Sequence, residues 1–389
     1  MSEPDNSSNG TSKGTSTGVR RPSSLGTPER GKASGGRTDP RKWPGAGFPL
    51  AVFVLLAALF VSLILAVVVG PVLIPPVTVW EIALYKVTGL STPDWSVAQE
   101  QIVWQIRFPR VLLGALVGGG LAVVGATLQA VVRNPLADPF ILGGSSGASV
   151  GAVLVIIAGL EFLGVYSLSA AAFLGATLTF ALVFVLARGA GGTVSPVRLV
   201  LAGVALSYAL FAVTNFLIFQ AEDSNQIRSV LFWMLGSLGG AQWEQLTIPA
   251  LVLLLGSGYL TLRARELNAL LVGEESATNL GVDTGRFRRE LLILTGLLTG
   301  TMVAVSGSIG FVGLIMPHIV RLFVGSDHKR VLPVSILSGA IFLIWVDVLA
   351  RVAVAPEELP VGVVTSLVGA PFFIWLMRRK TKAFGGGGA

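Results

Sequence analysis

Cysteine is absent from the 389 residues, histidine occurs twice and charged residues make up only 13%. The first absence excludes disulfides and thiolate metal sites. With only His318 and His328 besides, too few ligands remain for a catalytic zinc site. The shortage of charge excludes most, because a soluble chain of this length carries about a quarter charged residues. Apolar residues fill the gap: 52% of the chain is hydrophobic and the mean hydropathy is +0.76. With repeated apolar runs of spanning length, this is the composition of a polytopic membrane protein. The net charge of +7 would suggest nucleic acid in a soluble protein. Here the basic residues fall in loops and tails, where they report orientation instead.

Residues 1–47 are rich in Gly, Ser, Thr and Pro and poor in apolar side chains, so they predict a disordered cytoplasmic tail. Its Arg20-Arg21 pair is not closely followed by the apolar stretch of a signal peptide. Apolar runs then lie at about 48–69, 108–132, 139–160, 166–187, 198–219, 246–262, 287–306, 309–324, 331–350 and 361–377. The expected fold is therefore all-α, with about ten transmembrane helices. With the N-terminus inside, only Lys86, Arg107, Arg110, Arg228 and Arg351 of the 28 basic residues fall outside. That asymmetry places both termini in the cytoplasm. The expected organisation is a tail (1–47), a transmembrane domain (48–380) and a flexible C-terminal tail (381–389).

Spans two and seven echo each other. Gly119–Gly125 runs into a Pro-broken polar turn, and Gly300–Gly307 runs into a glycine-rich break. An odd number of spans separates them, so spans 2–5 and 7–10 predict an inverted repeat with a pathway at its interface. The first break, Arg133-Asn134-Pro135-Leu136-Ala137-Asp138-Pro139, is charged and Pro-interrupted, so it must leave the bilayer or be buried in protein. The Gly and Ser that follow let helices approach closely.

Some motifs mislead. Gly26–Lys32 nearly completes a phosphate-binding loop, but Ala33 stands where a hydroxyl must hold Mg²⁺. Gly143-Gly144-Ser145-Ser146-Gly147 has the form of a nucleophile elbow, but it opens a membrane span with no strand before it. The chain has no complete nucleotide site and is not expected to be an enzyme.

The inner loop 263–286 carries apolar residues at 267, 270, 271, 277 and 280, interrupted at Gly273, which predicts two short amphipathic helices. Glu266, Glu274 and Glu275 would be repelled by anionic lipid, which favours a protein partner. Asp347 is the one acidic residue placed inside a membrane core. It is either a functional group or a hydrogen-bonded helix contact near Arg351, one turn away.

Four blocks together resemble the FecCD family, the permease subunits of ATP-binding-cassette importers for ferric siderophores, haem and cobalamin. They are Arg107-Phe108-Pro109-Arg110 leading through Gln129 to Arg133–Pro139; Arg198–Leu206; Leu267–Gly281; and Gly310–Arg321 with Asp347, Arg351, Leu359–Gly362 and Gly369–Phe373. The resemblance covers about residues 48–380. It implies half of a permease dimer, formed with a second copy or a homologous permease. Two ATPase subunits, which bind the ATP and Mg, would dock inside, and an extracellular binding protein would deliver substrate. No cofactor or metal is expected on this chain. By resemblance, Leu267, Asn268, Leu270, Gly273, Glu274, Ala277, Leu280 and Gly281 form the ATPase-coupling surface. Arg107, Arg110 and Arg351 match docking positions for the binding protein, and Ser195, Pro196 and Val197 an inner gate. The gate stretch is less polar than in cobalamin members, which carry small hydroxylated residues there. The expected cargo is a ferric siderophore, then haem, then cobalamin, crossing a bacterial cytoplasmic membrane. An ion-coupled secondary transporter is the competing reading, favoured by the inverted echo and Asp347.

Overall fold

Why the chain turns where it does is plainest at its helix ends. The computed structural model describes residues 47–90, 94–188 and 195–384; the tail before Gly47 and the last five residues lie outside them. The first helix is α1 (Gly47–Val68). Next come α2 (Pro76–Thr88) and the short α3 (Val97–Glu100), which runs through a π-helical turn, Gln101–Arg107, into α4 (Phe108–Val132). Helices α5 (Gly144–Ala158), α6 (Ser167–Ala187), α7 (Pro196–Phe219), α8 (Ser224–Leu235) and α9 (Thr247–Leu262) follow. Two short helices, α10 (Ala264–Val272) and α11 (Glu274–Asn279), precede α12 (Thr284–Ser306), α13 (Val312–Val324), α14 (His328–Val352) and α15 (Val361–Phe384).

Seven described segments are long and apolar enough to cross a bilayer, and α5, α13 and residues 361–376 of α15 are shorter apolar helices. Together they coincide with the ten apolar runs of the sequence. Helix α15 continues to Phe384, into the segment expected to be a flexible tail. Helices α2 and α8 lie between spans and were not anticipated, although their punctuation is present in the sequence; α3 lengthens the second span at its start. Pro76 opens α2 and a left-handed Gly89 closes it. Asp223 caps α8 by accepting from the Asn225 N–H, and Gly236 ends it at φ 76°.

The inverted repeat is visible in the packing. The first helix of each half lies along the third helix of the other: α4 on α14, and α12 on α6. Each first helix also meets the other half's second helix, α4 against α13 and α12 against α5, and the two first helices pack together. Both second helices begin at a left-handed residue, Gly143 at φ 79° before α5 and Phe311 at φ 69° before α13. The two broken starts touch, with Ser145 Oγ and Ser308 Oγ 2.6 Å apart.

Glycine makes this packing possible where backbones meet. A Cβ on Gly125 would lie 1.9 Å from the Gly313 carbonyl oxygen, and one on Gly118 2.2 Å from that of Gly339. Gly147, read above as part of a misleading motif, similarly abuts the Gly175 carbonyl oxygen of α6, 2.3 Å from where its Cβ would be. Lipid supplies no hydrophobic drive between helices, so such close approach is a main source of attraction. Helix α4 is buried over most of its length, whereas α1 and α7 bury little of theirs, as lipid- or partner-facing helices would.

Candidate functional site

One face of the bundle gathers α10, α11 and the ends of the spans beside them. Helix α10 packs against α4, α9 and α14. Its apolar stripe faces the protein: Leu267, Ala269 and Leu270 are buried in the main core, as is Ala277 of α11. The expectation that Leu267, Leu270 and Ala277 belong to the ATPase-coupling surface is therefore corrected, since they face the protein's own core. An amphipathic helix buries its apolar side in the nearest dry surface, and here that surface is the membrane domain itself. What faces outward is the turn between the two helices together with the end of α11. Val272 is 74% exposed, Leu280 72%, and Glu274 and Glu275 are exposed with them. Gly273 turns the chain at φ 143°, and Gly281 leaves α11 at φ 83°, conformations that favour glycine at both places.

Asn268 does not project with that tip. Its side chain turns toward α14, where it bonds to Asp327 and His328. Beside α10, a cleft of about 600 Å³ is lined by Arg263, Arg265, Glu266, Asp283, Arg286 and Glu290, among others. Arg263 pairs with Glu266 at 2.8 Å and Glu290 at 3.3 Å, and Tyr259 donates to Glu290 at 2.7 Å. Three arginines and three acids leave this cleft without net formal charge.

The opposite face holds the three expected docking arginines, and all are sealed. Arg107, Arg110 and Arg351 are 3%, 3% and 2% exposed. Arg107 donates to the carbonyls of Val67, Val68 and Val72. Arg351 donates to those of Ala66 and Val69 at 3.1 and 3.0 Å. The last carbonyls of a helix have no partner within it and carry partial negative charge, so two guanidinium groups from elsewhere cap the end of α1. Arg110 donates to Asp347 at 2.9 Å and pairs with Glu358 at 2.8 Å, and Arg351 Nε lies 3.1 Å from the same Asp347. The structure brings the three together, but as an internal cluster around Asp347 rather than as a rim. Asp347 makes the helix contact with Arg351 that one of its two readings expected, and shares it with Arg110. Only Glu358 of this group keeps substantial exposure, 38% of its side chain.

The expected gate opens α7. Pro196 takes the first helical position, where its missing N–H costs nothing. Ser195 makes no side-chain cap, and Val197 is 67% exposed beside it. Close by lies a group that sequence reasoning missed. Asp138, in the turn between α4 and α5, is buried, and its Oδ1 accepts from the Phe140 N–H at 2.9 Å. Its Oδ2 has no partner among the described residues, and burial raises the carboxyl from 3.8 to about 6. A cavity of about 40 Å³ adjoins it, bordered by Val200 of α7. Its sequence signals were an acid within a Pro-flanked turn and a place in the first of the four blocks. Among the described residues, no cluster of three or more His, Cys, Asp or Glu could hold a metal.

Comparison with known proteins bears on this geometry. The FecCD transport family matches residues 58–379. The chain is 47% identical to a cobalamin import system permease protein of Halobacterium salinarum, over 72% of this chain and 74% of that one. It is 41% identical to a hemin transport system permease protein of Yersinia pestis, covering 74% of this chain and 87% of the relative. A solved structure described as an inward-facing, metal-chelate type ABC transporter superposes with a TM-score of 0.73 at 33% identity, over 85% of this chain and 100% of that one.

Proposed function

Since the chain belongs to the FecCD transport family and is a permease subunit of an ABC importer, we propose that it forms one half of a dimeric channel for a bulky metal chelate. The cargo is a tetrapyrrole-type chelate, cobalamin or haem, ahead of a ferric siderophore. Identity to permeases named for cobalamin and hemin supports that order over the one expected from the sequence. The dimer, with a second copy or a homologous permease, sits in a bacterial cytoplasmic membrane with its termini in the cytoplasm. ATPase subunits dock on the tip around Val272, Glu274, Glu275 and Leu280, the part of the coupling loop that the membrane domain leaves uncovered. A binding protein delivers cargo on the opposite face, where Glu358 and its loop replace the buried arginines as the accessible surface.

The state of Asp347 weighs against an ion-coupled carrier. A proton relay needs a carboxylate free to exchange, and this one is held between Arg110 and Arg351. In proteoliposomes, uptake of labelled cobalamin, haem or a ferric siderophore is expected only with the ATPase subunit, the binding protein and ATP. Uptake driven by an ion gradient with no ATPase subunit would sink this reading.

A further inference from the structure

Helix α10 packs on α14 and is hydrogen-bonded to its start through one side chain, Asn268. Asn268 Oδ1 accepts from the His328 backbone N–H at 2.9 Å and lies 2.8 Å from His328 Nδ1. Its Nδ2 donates to Asp327 Oδ1 at 2.7 Å. That carboxylate also caps α14, accepting from the Lys329 N–H at 3.1 Å. These partners fix the amide's orientation, since a backbone N–H can only donate and a carboxylate oxygen can only accept. They also require the proton of His328 to sit on Nδ1. The joint is therefore built from directional contacts, with His328 fully buried beneath it.

What α14 does beyond this joint gives the contact a consequence. The helix has 25 residues and extends roughly 37 Å at 1.5 Å per residue. It packs along α4, backbone to backbone at Gly118 and Gly339. Its far end carries Asp347 and Arg351, bound to Arg110 of α4 and to the carbonyls of α1. One rod thus connects the coupling helix to the ionic cluster on the opposite face.

We propose that Asn268 is a positioning residue that passes displacement of α10 to α14, so that movement of a docked ATPase reaches the far side of the membrane through this joint. The proposal rests on the reading of the α10–α11 tip as the ATPase contact. Asn268 would act from behind that contact. It is only partly exposed and turned inward, whereas Val272, Glu274 and Glu275 face out.

The test uses the permease co-purified with its ATPase subunits and reconstituted with its binding protein. The readout is cargo imported per ATP hydrolysed, with cobalamin as the probe, or haem if the wild-type complex imports that instead. Asn268→Ala is expected to lower the ratio at least fivefold while the ATPase still co-purifies. His328→Ala should lower it too, and the double variant should be no worse than the more severe single one, as for two ends of one contact. Asn268→Asp is nearly isosteric, yet it sets a carboxylate against Asp327, so it should be worse than Asn268→Ala; a mere packing role predicts the reverse. If Asn268→Ala does not accumulate, Asn268→Ser takes its place with the same expectation. An unchanged ratio, additive losses, or a milder Asn268→Asp overturns the proposal. Loss of ATPase co-purification in Asn268→Ala also overturns it, because Asn268 would then belong to the partner contact. A wild-type permease that co-purifies no ATPase would instead refute the reading of the tip, a separate failure.

Discussion

The two faces of this membrane domain carry charge in opposite ways. On the α10–α11 face, acids stand exposed on a glycine-hinged tip, with the apolar residues folded beneath them. On the opposite face, three arginines are drawn inside, satisfied by the end of α1 and by Asp347. Position in a loop or near a membrane face therefore does not say whether a charge meets a partner or closes the protein's own seams. The helix ends decide it. Where a span leaves carbonyls unpaired in an apolar setting, a nearby arginine is consumed in capping them. Where a glycine lifts the chain off the domain, the side chains around it stay available.

That contrast is most open to attack at Asp347. Replacing it by Asn leaves Arg110 and Arg351 buried with their shared counter-charge removed, and breaking a buried pair costs about 3–5 kcal/mol. The solubilised protein is expected to lose most of its thermal stability, whereas Glu358→Gln, at a partly exposed partner, should change it by less than about 1 kcal/mol. If Asp347→Asn melts like the wild type and only docking of a binding protein suffers, the cluster is a rim after all.

A sharper comparison lies within the coupling loop, between neighbours with opposite burial. Leu270 is 2% exposed and Val272 74%. Leu270→Asp puts a charge into the core and should unfold the α10 region, at a cost of about 3–5 kcal/mol. Val272→Asp should leave the melting curve nearly unchanged yet remove ATPase co-purification. Should both variants melt alike and both lose the partner, the division between buried stripe and exposed tip fails.

The smallest expected effect concerns Asp138. Its carboxyl titrates near 6 in the folded protein and near 3.8 when exposed, so the folded state holds its proton more tightly. Between those values the unfolded chain binds fewer protons, and this group's contribution to stability falls as pH rises. Asp138→Asn is expected to flatten that decline between about pH 4 and 6, read as the melting temperature across pH. An unaltered slope would mean that water or a partner satisfies Oδ2.

Much of this was legible in the sequence. All ten apolar runs became helices because in lipid a helix satisfies every backbone group locally, so length and hydropathy suffice. The inverted arrangement was foreshadowed by Gly119–Gly125 and Gly300–Gly307, since close packing demands glycine where two backbones meet. Helices α2 and α8 escaped notice because they are too short to span, and their signals are caps rather than hydropathy.

Composition and periodicity by themselves determined a membrane-spanning helical bundle, a broken-helix repeat and a two-helix loop with an acidic edge. Those properties depend on neighbours in the chain, within a turn or a span. Only the tertiary structure decided which side of α10 is covered, that Asn268 reaches 60 residues along the chain to His328, and that Arg110 finds Asp347 237 residues away. Burial and pairing are set by which distant segments fold together, and a single sequence carries the charges without naming their partners.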